Sequence, residues 1–409
     1  MNAIARRMVA DIRGNPFAHG LILLLPAIQF GLSYFASVAA LLFVLTAWHM
    51  RARVSPFTTG VVVVAVSLSL LWTVIFLPEV PNMPREMRLA AGMLLLLWGL
   101  DGAPRHDFSK LNGMWPLVVL LLLTLAALVQ AVAGRKGIAL YVPTKFFINS
   151  NDVSLAAAWA EHAREHGYDF KIRPSASFSE PSYLGGVSLF LNFVCLHTLR
   201  GRPRLLANAA ALIACLVAQT FFGLLANAVI LFAFYHRHIN KSVMLCIAAL
   251  GLATLALPIF AAEPSRIDRI LSGNDVSVGL RLFQPFDVLG HVLGNAPFGI
   301  PMTVAPEYFI NNGMVQRFED APFQNGAFNV LFSFGWLGIP VLWLALRTAG
   351  GGICALFLLL LMCQNGAPFD FDKIVMAIFA IHLARQVRAT TDLHTLTRLT
   401  VPRLRRRMA

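Results

Sequence analysis

Three short polar stretches hold the residues best suited to chemistry. The first runs Arg173-Pro-Ser-Ala-Ser-Phe-Ser-Glu180-Pro-Ser-Tyr183-Leu-Gly-Gly186. The second, Val276-Ser-Val-Gly-Leu-Arg281, ends on an arginine, and the third is Asp320-Ala-Pro-Phe-Gln324-Asn325-Gly326. Arginine stays charged at any working pH and grips phosphate oxygens two at a time, so Arg173 and Arg281 suit a departing diphosphate. Glu180 or Asp320 can serve as a general base or anchor a hydroxyl. At a lipid boundary partial desolvation raises a carboxylate's pKa towards a useful range. Gln324, Asn325, Tyr183 and Arg317 are the accompanying candidates for binding substrate.

Each of these residues also fits a plainer role. Pro181 suits a first helical turn, and Glu180 before it suits the positive end of a helix dipole. Asn325 reads equally well as a helix N-cap. Either arginine can be a surface residue with a structural partner. His162 and His166 have i, i+4 spacing, but the sequence between them is Ala-Arg-Glu and no third metal ligand is evident. The five cysteines all fall within apolar runs without metal-ligand spacing, as buried small hydrophobes do.

The elements that must position these groups are membrane helices. The chain is 57% hydrophobic and 13% charged, about half the charge of a soluble domain. Continuous apolar runs cover 20–48, 57–77, 89–100, 115–133, 183–199, 205–235, 242–261, 326–346, 351–363 and 373–384. Arg6, Arg7 and Arg13 precede the first run, and no small-residue cleavage site follows, so an uncleaved segment is expected. A helix over 20–48 would be about 43 Å long, against a hydrocarbon core of about 30 Å. That run holds Pro26 and Gly31, and 205–235 holds Gly223; basic residues flank both at each end. If basic segments stay inside, each crosses twice, giving about twelve spans with both termini cytoplasmic.

Charge sorts accordingly. Inner segments hold 20 Lys and Arg against 4 Asp and Glu, and outer segments hold 13 against 16. The net charge of +13 is thus a topology signal, and a nucleic-acid partner loses its support. The basic tail at 385–409 suits anionic headgroups. Two long polar loops, 134–182 and 262–325, fall on the outer side, and loops of such length are usually functional or disordered. The first includes an amphipathic stretch from Asp152 to His166 that could lie in the headgroup layer. The whole chain reads as one membrane domain. No phosphate-binding P-loop, dinucleotide fingerprint, Gly-x-Ser-x-Gly elbow or soluble-domain Asp-x-Asp is present, which points to a substrate delivered by the membrane.

With these residues in order, the chain resembles the O-antigen polymerase/ligase superfamily of bacterial glycan enzymes, in its Wzy-type exopolysaccharide branch. The resemblance rests on Arg173…Phe178-Ser-Glu180-Pro-Ser-Tyr-Leu-Gly185, Arg281, Gly294…Gly299, Gln324-Asn325-Gly326 and Gly335-Trp-Leu-Gly338. It implies an all-α, GT-C-like glycosyltransferase of the bacterial inner membrane with its active site facing the periplasm. It implies undecaprenyl-diphosphate-linked glycans as donor and acceptor, no metal or cofactor, and a flippase and chain-length regulator as partners. Ligases of this superfamily carry a His where this chain has Gln324, so the resemblance favours a repeat-unit polymerase over an O-antigen ligase. It leaves Glu180 and Asp320 competing as base. A flippase for the same lipid would place polar groups at mid-membrane, whereas here they concentrate in outer loops.

Overall fold

The computed structural model describes residues 15–31, 36–77, 81–136, 138, 140, 174–178, 180–236, 284–315, 325–364 and 369–405. They are mostly helical. Among the described residues strands are confined to one short pair, β1 (Met50–Arg51) antiparallel to β2 (Ala103–Pro104).

The run 20–48 folds as α1 (Pro16–Leu24), a 3-10 turn to Ala27, and α2 (Val38–His49), with an antiparallel bridge between Gly31 and Ser37. Next come α3 (Pro56–Phe76), α4 (Met83–Asp101) and α5 (Met114–Arg135). The run 205–235 also breaks in two, after the central α6 (Pro181–Thr198). Here α7 (Arg202–Val217) and α8 (Phe221–Tyr235) are joined through Gln219, whose φ is 53°. The break does not fall at Gly223, as Gly223 sits inside α8. A Cβ on Gly223 would lie 2.8 Å from the Cα of Gly185 in α6, so this glycine serves close helix approach rather than helix interruption.

Helices α9 (Gln284–Asn295) and α10 (Ala305–Asn311) lie within the second long loop. They are not a solvated connection. Val288, Val292, Val304, Phe309 and Val315 are buried in a cluster with Phe332, against which Trp72 and Leu77 pack. The chain closes with α11 (Gly326–Phe334), a 3-10 turn at Gly335–Leu337, α12 (Gly338–Thr348), α13 (Gly352–Met362) and α14 (Phe371–Arg405).

Among the described residues three segments are long and apolar enough to cross a membrane: Pro56–Phe76, Met114–Gly134 and Gly326–Thr348. Twenty-one residues of helix span about 31 Å, which matches the hydrocarbon core. The outward faces of α3 and α5 are apolar, with Val74, Phe76, Leu122 and Val132 exposed. Helix α6 differs, since every residue from Leu184 to Leu196 is buried. A helix apolar all round belongs in the interior, and α6 packs against α5, α7, α8, α13 and α14. Its one buried amide, Asn192, donates to Asn227 Oδ1 of α8 at 3.0 Å. A bond of this kind between membrane helices is worth about 0.6–2 kcal/mol.

The bundle has two chemically distinct ends. At one, Arg105 N donates to His49 O at 2.8 Å, Asn15 Nδ2 to Asp107 O at 3.1 Å, and Phe108 N to Gln386 Oε1 at 2.7 Å. Arg385 binds the carbonyl of Leu100 at 2.7 Å and that of Thr348, and Arg204 binds that of Leu199. All of these segments carry the basic charge assigned to the inner side. Segments assigned to the outer side meet at the other end. There Asn82 N donates to Thr303 Oγ1 at 3.1 Å and Thr303 N to Glu86 Oε1 at 2.8 Å.

Candidate active site

Glu180 occupies the N-cap of α6 at the outer-assigned end, with extended backbone (φ −136°, ψ 147°). Its carboxylate does not cap the helix backbone. One oxygen instead accepts from Ser182 Oγ at 2.8 Å. One turn on, the Tyr183 hydroxyl donates to Asp372 Oδ2 in the first turn of α14. Asp370 lies close enough to act on the same phenol electrostatically. Lys373 is only 5% exposed and donates to the Gln364 carbonyl at 3.0 Å. Gln364 packs its Cγ within 4 Å of where a Gly186 side chain would begin. Glu180, Tyr183, Gln364, Asp370, Asp372 and Lys373 thus gather where α6, α13 and α14 come together.

Asn325 joins this group from α11. Its Oδ1 accepts from Ala327 N at 3.1 Å and Phe328 N at 3.4 Å. The same side chain hydrogen-bonds the Cys363 thiol, which also lies near Lys373. Asn325 is therefore a buried N-cap at the site's edge, with its acceptor oxygen committed to the helix start. Cys195, Cys215 and Cys354 are buried, and Cys363 is half-buried.

The segment ahead of Glu180 is held from α5. Gln130 Oε1 accepts from Ser175 N at 3.0 Å and Ala176 N at 2.8 Å, while Gln130 Nε2 donates to Ala176 O at 2.8 Å. Ala176 adopts a left-handed φ of 54°. This fixes Phe178, whose ring packs 5.2 Å from that of Tyr183.

Two glycine marks in the sequence meet in space. Gly299 has φ +86° and Gly335 φ +55°, and a Cβ on Gly335 would lie 2.2 Å from Pro297 O. Their backbones cross where Ile300 N donates to Phe332 O at 2.7 Å and Trp336 N to Pro297 O at 3.0 Å. These glycines dock the second long loop onto the α11–α12 break. Beside this dock, Ser69, Glu86, Asn329, Ser333 and Phe369 line a small, largely apolar cleft. Phe369 immediately precedes Asp370, so the cleft adjoins the polar cluster.

Arg173, Arg281, Arg317, Asp320 and Gln324 lie outside the described residues, as do His162 and His166. Sequence reasoning missed Asp370, Asp372, Lys373 and Gln364. A signal existed: Asp370-Phe-Asp372-Lys373 puts two acids and a lysine into the short link between apolar runs.

Apolar helices of spanning length, with a buried polar cluster at the end opposite the basic segments, define a helical membrane protein. The model of one family, WcaD colanic acid polymerase, matches residues 21–356. The chain belongs to that family. It is accordingly a membrane enzyme of glycosyltransferase type, a repeat-unit polymerase for exopolysaccharide acting on lipid-linked oligosaccharide. No curated protein and no solved structure matches it.

Proposed function

We propose that the enzyme works at the periplasmic face of the bacterial inner membrane, where it transfers a growing glycan from undecaprenyl diphosphate onto a new lipid-linked repeat unit. Twelve spans in a GT-C-like arrangement would carry it. The observation that supports this reading is the gathering of Glu180, Tyr183, Asn325 and the Asp370–Lys373 segment at the bundle end opposite the basic segments.

In this mechanism Arg173 and Arg281 hold the donor diphosphate and stabilise the charge that develops as it leaves. Glu180, oriented by Ser182, takes the proton of the acceptor hydroxyl, with Asp320 as the competing carboxylate. Gln324, Asn325, Tyr183 and Arg317 border the sugars. The acceptor oxygen bonds to the anomeric carbon, and the bond from that carbon to the diphosphate oxygen breaks. The electron pair leaves with the lipid diphosphate. No nucleotide, metal or other cofactor enters this scheme. A flippase supplies the repeats, and a chain-length regulator limits the product.

The test is reconstitution. Purified protein in detergent, with EDTA and without ATP, is expected to join lipid-linked repeat units into ladders of polymer. Movement of intact lipid-linked repeats across a bilayer without joining would replace this reading with a flippase.

A further inference from the structure

Gln364 and the Asp370–Lys373 segment, between the end of α13 and the first turn of α14, have no role in that scheme, and they join Tyr183 in one place. Asp372 and Tyr183 are joined by a hydrogen bond across 189 residues of sequence. Gln364 is 4% exposed, yet its Nε2 is a buried donor with no hydrogen-bond partner among the described residues. Its side chain packs at Gly186, three residues after Tyr183, and so on the same face of α6. Lys373, also buried, is fixed to the Gln364 backbone. An orphaned buried donor is costly unless a ligand satisfies it. A carboxylate, a phenol and an amide beside aromatic rings (Phe178 on Tyr183, and Phe43 stacked on Phe371 at 4.5 Å) match a polyhydroxylated ring.

We infer that Asp372, Tyr183 and Gln364 form the subsite for the non-reducing sugar of the acceptor repeat unit. The inference rests on the polymerase reading above and deepens it. Charge decides which sugar is bound. Among the described residues Asp370, Asp372 and nearby Glu180 outnumber Lys373, so this part of the site favours a neutral sugar and leaves the diphosphate to Arg173 and Arg281. The neutral sugar farthest from the acceptor's own diphosphate is the part such a site accepts. Asp372, held by the Tyr183 hydroxyl, accepts from a sugar hydroxyl, and Gln364 Nε2 donates to another. These contacts orient the acceptor while the proton passes to the base.

The experiment measures initial rates of the purified enzyme with saturating lipid-linked donor and varied acceptor repeat unit. Asp372→Asn, Tyr183→Phe and Gln364→Met are compared with wild type, each checked for a monodisperse elution profile. Acceptor KM is expected to rise about 10- to 100-fold in Asp372→Asn. A rise of about 5-fold or more is expected in the other two, with kcat held within about 3-fold, as for loss of binding shared by ground and transition states. An unchanged acceptor KM in Tyr183→Phe and Gln364→Met overturns the subsite even if Asp372→Asn fails to fold. A fall in kcat with acceptor KM unchanged in Asp372→Asn overturns it too, and moves Asp372 into the chemistry. A wild-type enzyme that joins no repeats defeats the polymerase reading instead, so the two failures are separable.

Discussion

Glu180 illustrates how one residue can satisfy two explanations until its partner is known. Its place before Pro181 fits a helix start, and it does stand at the N-cap of α6. Its carboxylate, however, is turned to Ser182 rather than to the backbone N–H groups a cap would satisfy. Glu180→Gln keeps the shape and removes the basic oxygen. Turnover should fall about 10²- to 10⁴-fold while lipid-linked substrate still binds, measured by single-turnover and binding assays on one preparation. Retained turnover would make Glu180 a helix-entry residue and move the base to Asp320. For the arginines, Arg281→Lys keeps the charge but loses the planar two-donor fork. Polymer yield should remain depressed in this variant at normal membrane abundance, and Arg173→Ala and Arg281→Ala should abolish it. Normal polymer from both alanine variants would remove the two arginines from the site.

At the scale of elements, local signals were legible and distant ones were not. Asn15-Pro16, Ser55-Pro56 and Glu180-Pro181 announce helix starts, because a capping or extended residue followed by proline leaves little choice of backbone. The break of 20–48 and of 205–235 into two helices each followed from length and flanking charge. Nothing local, by contrast, announces that Gln130 will bind a turn 45 residues on, or that Tyr183 will meet Asp372. Such pairings depend on how α5, α6 and α14 pack. The helices inside 262–325 were also missed, because the segment's polarity masks a short apolar face at Val288, Val292 and Phe309. The Gln130 clamp yields its own test. It holds Ala176 at a left-handed φ that costs a non-glycine residue about 1–2 kcal/mol. Gln130→Ala removes three hydrogen bonds, and turnover should drop about 10- to 100-fold. Adding Ala176→Gly in the same chain relieves the strain and should restore part of the rate. If glycine at 176 restores nothing, the clamp does not act through the conformation of this turn.

For the whole molecule the informative quantity is where charge lies along the bundle axis. Sorting by span order puts 20 of the chain's 33 Lys and Arg in inner segments, and the described parts of several of these segments meet at one end of the bundle. Two independent quantities agree here: a count of charges along the chain, and hydrogen bonds between segments far apart in sequence. On the proposed topology a basic end at the cytoplasmic face puts Glu180, Asn325 and Asp372 on the opposite side, where the enzyme would meet substrate that has already crossed. Single cysteines in a background freed of native thiols test this in intact cells with a membrane-impermeant maleimide. Positions 310 and 312, in the exposed part of the second long loop, should label from outside. Position 110, whose lysine side chain is 73% exposed, should label only after the membrane is opened, as should positions in the tail beyond 390. Labelling of position 110 or the tail from outside would invert the bundle, and with it the face on which the polymer is made.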